Sequence, residues 1–142
     1  MASKFSAFLS QNVERIPNVK FVVSNRFKDE NGKPIEWELR AVSSAENDEL
    51  QRKAIVNVPV VGQRGQYNRE LDQIKYVGLL LTASVVYPDL NDAELQDSYG
   101  VKTPHELLKS MLYAKEEENL AKKVMEISNV EDLEVLVKEA KN

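Results

Sequence analysis

The side chains that could do chemistry in this sequence are few, and they concentrate between Tyr87 and Leu112, in YPDLNDAELQDSYGVKTPHELLKSML. The acidic run Asp89, Asn91, Asp92, Glu94 and Asp97 has the oxygen content of a calcium loop. The EF-hand pattern, however, wants an oxygen ligand at its fifth position and glycine at its sixth, where Ala93 and Glu94 stand here. The helix macrodipole accounts as well for carboxylates gathered in a first helical turn, so no metal is expected. His105 is the only histidine, and it follows Thr103-Pro104 at a helix start. With no cysteine in the chain, a serine nucleophile would have to use that one imidazole as its base. His105 reads instead as a solvent-facing residue of a first helical turn, and neither a catalytic residue nor a cofactor is expected. Gly62-Gln63-Arg64-Gly65 lacks the Gly-Lys-Ser/Thr ending and the following helix of a phosphate loop, and reads as a turn.

The elements that must position these residues come from a chain of 142 residues, long enough for one core without disulfides or a structural metal. With 42% hydrophobic and 30% charged residues it has the make-up of a folded domain, which excludes a disordered chain. The net charge of −4 argues against a general binder of phosphate backbones, whose affinity comes from clustered Lys and Arg; it leaves room for local basic patches, but no nucleic-acid partner is expected. The longest mainly apolar run, Tyr76 to Tyr87, is short of the roughly 20 residues a bilayer span needs, and the N-terminus has no apolar run typical of a signal peptide. With cysteine absent, a reducing cytosol is the default compartment, and no membrane association is expected.

Phe5, Phe8 and Leu9 at helical spacing predict a helix from Ser3 to about Arg15, stopped by Pro17. Val19 to Phe27 and Ile35 to Val42 predict a hairpin over 19–42. Its second arm alternates Ile35, Trp37, Leu39 and Ala41 with Glu36, Glu38 and Arg40, and Asn31-Gly32 supplies the turn. Ser43 and Glu46 have capping-box spacing ahead of a helix running to about Val56. Residues 57–71, with Pro59, Gly62 and Gly65 among valines, read as a second hairpin or an extended loop. A helix capped by Asp72 and apolar nearly all round continues through Val86 until Pro88 ends it. The C-terminal third is helical throughout. The fold class is therefore α+β, a small antiparallel sheet beside a mostly helical body, with residues 1–114 as the domain and 115–142 as a helical extension.

Within the stretch from Tyr87, Asn91 and Glu94 have the spacing of a capping box, and Leu90 and Leu95 that of a hydrophobic staple. Gly100 suits a left-handed C′ position, and Thr103, Pro104 and Glu106 restart the chain as cap, first helical residue and box partner. This predicts a rigid corner lying between tyrosine-bearing turns. Helix, glycine turn, helix over 92–112 is also the plan of a DNA-binding helix-turn-helix, with Thr103, His105, Glu106, Lys109 and Ser110 as the residues on offer. The charged last segments carry narrow stripes, Leu120 and Val124 in one and Leu133, Leu136 and Val137 in the other. Such stripes serve either a solvated helix pair that completes the fold or a docking face for a partner's helix, and they permit self-association.

The wording of these segments resembles the XkdN-like family of phage tail assembly chaperones, found in phages and prophages of Gram-positive bacteria. The resemblance runs through SAFLSQNVERIPNVKFVVSNRFKDENGKPIEWELRAVSS, YNRELDQIKYVGLLLTASVVYPDLNDAELQDSYGV and the closing VKEAKN, and VVYPDLNDAELQDSYGV is its most specific part. It implies a non-catalytic protein of the host cytoplasm that binds the tape measure protein and helps the tail tube protein polymerise around it. It also implies absence from the mature virion. The family offers no catalytic residue to carry over.

Overall fold

The computed structural model describes residues 4–128. Strand β1 (Val19–Phe21) pairs antiparallel with β2 (Trp37–Leu39), Val19 opposite Leu39 and Phe21 opposite Trp37. The turn between them is held by Asp29, whose carboxylate accepts the N–H groups of Asn31 and Lys33 at 2.8 and 2.9 Å, while Gly32 takes a positive φ of 79°. The expected alternation is present: Trp37 and Leu39 are buried, and Glu38 between them faces Lys20 across the pair. The ladder is shorter than the predicted arms because the first arm leaves it after Phe21. Ser24 Oγ then accepts the N–H of Arg26 in a local turn.

Helix α1 (Ser44–Lys53) starts at Ser43, whose hydroxyl accepts the N–H of Glu46. The Glu46 carboxylate accepts hydrogen bonds from Arg40 Nη1 and Nη2, at 2.9 and 2.7 Å, and so ties α1 to the end of β2. The open reading of residues 57–71 resolves as a hairpin. Strand β3 (Ile55–Pro59) pairs with β4 (Tyr67–Leu71) in register from Ile55 opposite Leu71 to Pro59 opposite Tyr67, forming a separate two-stranded sheet.

Two expectations are corrected here. Helix α2 (Gln73–Ser84) begins on Asp72 as predicted but ends before Val85, and Val85–Tyr87 forms β5, antiparallel to β2. The buried Ser84 donates its hydroxyl to the Arg40 carbonyl at 2.7 Å, and its own carbonyl accepts the Arg40 N–H at 2.9 Å. That exchange draws the chain out of the helix, and β-branched Val85 and Val86 favour the extended form. The helix predicted from Ser3 to Arg15 is, within the described residues, one 3₁₀ turn at Ser6–Phe8, and Phe8, Val13 and Ile16 are exposed. So short an apolar stripe forms a helix only when a face packs it.

Helices α3 (Ala93–Ser98), α4 (Pro104–Met111) and α5 (Ala114–Ile127) follow. One core joins Trp37 and Leu39 of β2, Leu80 and Leu81 of α2, Leu107 and Leu108 of α4, and Leu120, Val124 and Ile127 of α5. The chain is α+β, with sheet order β1-β2-β5 and its helices on the same core.

Candidate functional site: a tyrosine-lined cleft

The corner between α3 and α4 is built from local hydrogen bonds. Asp89 accepts the N–H of Asn91, so the helix begins one residue later than the predicted Asn91/Glu94 box. Its cap is Asp92, which accepts the N–H of Leu95 at 2.9 Å. Leu90 is buried in the core and Leu95 packs against it, at positions shifted by one from the expected staple. At the other end the N–H groups of Gly100 and Val101 bond to the carbonyls of Asp97 and Gln96, and Gly100 has φ 69°. This is the paired closure of a Schellman motif. Thr103 accepts the N–H of Glu106 and Pro104 is the first residue of α4. Asp92→Ala should lower the unfolding free energy by about 1 kcal/mol in urea denaturation, whereas Asn91→Ala should leave it nearly unchanged.

Exposed tyrosines lie on both sides of this corner. Phe27, Ile35, Tyr87, Pro88, Leu95 and Met111 wall a hollow of about 130 Å³ whose floor includes Trp37. Met111 also lines a second hollow, about 280 Å³, with Arg26, Tyr99, Ser110, Leu112 and Tyr113. Tyr87, Tyr99 and Tyr113 are all exposed, the last at 70%. Arg26 stands over the Phe27 and Tyr113 rings at 5.0 and 4.7 Å, within cation–π range. Exposed tyrosine together with methionine and arginine is the composition of protein-binding surfaces.

The wall is locked by charge. Arg26 Nε donates to Glu116 at 3.0 Å, its Nη2 to the other carboxylate oxygen and to the Met111 carbonyl, and Glu116 also accepts the N–H of Tyr113 at the start of α5. The Arg26 hydrogen bonds, aided by Ser24 and the Tyr113 N–H, bring the Glu116 carboxyl down from 4.5 to about 2. A depressed folded-state pKa contributes stability that is present above pH 4.5 and lost as pH falls toward 2. Wild type should therefore lose stability over that window faster than Glu116→Gln. At pH 7 the substitution should cost about 1–3 kcal/mol, read from urea denaturation at each pH.

Two of the residues expected to dock a partner are not in this cleft. Leu120 and Val124 have no exposed surface, because α5 turns its stripe inward to the core. Leu133, Leu136 and Val137 lie outside the described residues. Of the residues on offer for a helix-turn-helix face, Thr103, Glu106 and Ser110 are exposed and two are engaged within the fold. His105, expected to face solvent, has its Nε2 buried against α2, and Lys109 is ion-paired with Glu117 of α5. The residues of the cleft were missed as a site, although the tyrosines bracketing the corner were its visible sign. Among the described residues no three His, Asp or Glu side chains gather as a metal site, and no helix is long and apolar enough to cross a membrane.

Fold and cleft together define a small α+β domain that presents an apolar, tyrosine-rich surface. The chain belongs to the phage XkdN-like tail assembly chaperone family, whose model matches residues 5–141. It is 31% identical over 139 residues to the phage-like element PBSX protein XkdN of Bacillus subtilis (strain 168), covering 96% of this chain and 93% of that protein. It is 30% identical to the uncharacterized protein YqbN of the same strain, covering 96% of this chain and 92% of that one. A crystal structure of the protein YqbN shares the fold, with a TM-score of 0.75 at 23% identity over 92% of this chain and all of that one.

Proposed function

We propose that this protein works as a tail assembly chaperone by binding the tape measure protein of its phage, keeping that chain soluble while tail tube protein polymerises around it. It acts without catalysis in the cytoplasm of the host bacterium and is absent from the finished virion. The observation that carries the reading is family membership across nearly the whole chain, in a domain whose most distinctive surface is an exposed aromatic cleft. A long chain with uncovered apolar stripes is prone to aggregate, and a domain that shields them reversibly counters this. Co-expression with the tape measure protein of the same phage should raise that protein's soluble fraction and yield a complex that co-purifies. Unchanged solubility with no complex refutes the reading.

A further inference from the structure

The cleft's surroundings say what kind of segment it takes. Its Tyr87, Pro88 and Leu95 wall belongs to a stretch, from Tyr76 to Val101, that has four carboxylates and not one lysine or arginine. Asp89 follows Pro88 in the wall, Asp92 caps α3, Glu94 precedes Leu95, and Asp97 lies two residues before Tyr99; all four are exposed, and none forms an ion pair among the described residues. Arg26, beside Phe27, is neutralised by Glu116, and the four carboxylates outnumber Lys28, Lys33 and Lys102, the neighbouring lysines that form no ion pair among the described residues. Met111 lines both hollows, of which the smaller is the apolar one. An apolar cavity of about 150 Å³ holds a benzene ring, so the smaller hollow is matched to one aromatic or branched aliphatic side chain. Exposed carboxylates next in sequence to the residues of an apolar hollow are complementary to an apolar side chain carried between cations.

We infer that the cleft beside Met111 binds a basic amphipathic helix of the partner, seating one apolar side chain in the hollow over Trp37 while the partner's lysines or arginines face Asp89, Asp92, Glu94 and Asp97. The inference rests on the chaperone reading and gives the bound segment a chemistry. Binding is then apolar in its anchors and electrostatic in its selectivity, so salt weakens it without abolishing it.

Trp37 is the only tryptophan and lies at the floor of the smaller hollow, so its fluorescence reports occupancy. The probe is a four-turn amphipathic peptide of Ala, Leu and Lys with Phe in its apolar stripe, titrated into the full chain beside the same peptide with Glu at each Lys. The basic peptide should change Trp37 emission and the acidic one should not. Glu94→Lys/Asp97→Lys, both on exposed positions of α3, should weaken binding by about tenfold at low salt, and Tyr87→Ser should do so at any salt. Equal binding of both peptides, no binding of either, or full affinity in both variants overturns the inference. So does self-association of the chain that these variants abolish, which would make a second copy the occupant. Tape measure protein that co-purifies equally with wild type and both variants refutes the cleft while leaving the chaperone reading intact. Peptide binding as described with no tape measure complex refutes the chaperone reading instead.

Discussion

Trp37→Ala is expected to lower the unfolding free energy by about 3–5 kcal/mol, the largest effect of any single truncation in this chain. The side chain is 1% exposed, and its ring lies 5.7 Å from that of Phe27 at an interplanar angle of 50°. It is also the meeting point of two layers: β2 sits between β1 and β5, and its inward residues Trp37 and Leu39 fill the space beneath α2 and α4. Truncation removes the transfer energy of the indole and leaves a void that backbone strands on both sides prevent from closing. The loss should be read by circular dichroism in urea, since the variant has no tryptophan. A cost under about 1 kcal/mol would mean that the sheet collapses onto the gap. Because Trp37 forms the cleft floor, the same variant should bind partner poorly even at temperatures where it is folded.

Gly78→Ala is expected to change sign with its neighbour. A Cβ at Gly78 would stand 2.1 Å from His105 Nε2 and 2.6 Å from Cδ2, so α4 approaches α2 there only because the glycine has no side chain. Nε2 is buried and lacks a hydrogen-bond partner among the described residues, which makes the imidazole at this crossing a packing element. In wild type the substitution should cost about 1–3 kcal/mol through overpacking. In a His105→Ala background the clash is gone, and replacing a mid-helix glycine should instead stabilise by up to about 1 kcal/mol. The double-mutant cycle in chemical denaturation measures this coupling directly. Equal costs in both backgrounds would refute the contact as the reason for the glycine.

These two positions show which features were legible beforehand. Trp37 announced itself through strict alternation with Glu36 and Glu38, because a half-buried strand writes its geometry into neighbouring residues. Gly78 announced nothing. Its reason is a residue of another helix, 27 positions away, and the sequence around His105 predicts a solvent-facing side chain for the same lack of a partner in view. The α5 stripe likewise had two possible uses in sequence, core or docking face, and only the packed structure assigns Leu120 and Val124 to the core. The cap stands at Asp92, one residue after the predicted Asn91, because Asp89, Asn91 and Asp92 are all competent caps, and the choice depends on which side-chain oxygen the helix's free N–H groups meet.

What the sequence determined by itself was the local part: the Asn31-Gly32 turn, the caps at Ser43, Asp72 and Thr103, the closure at Gly100, the α+β class, and through its wording the family. Those features depend on hydrogen bonds and dihedral preferences spanning a few residues. The tertiary structure decided where α2 stops, that Val85–Tyr87 joins the sheet as β5, which stripe is core, and that Phe27, Tyr87, Leu95, Met111 and Tyr113 meet around one cleft. Each of these is settled by a group distant in the chain, as when Arg40 takes the hydrogen bonds of Ser84, and burial energy between such groups outweighs the weak local preference of a few residues for helix or strand.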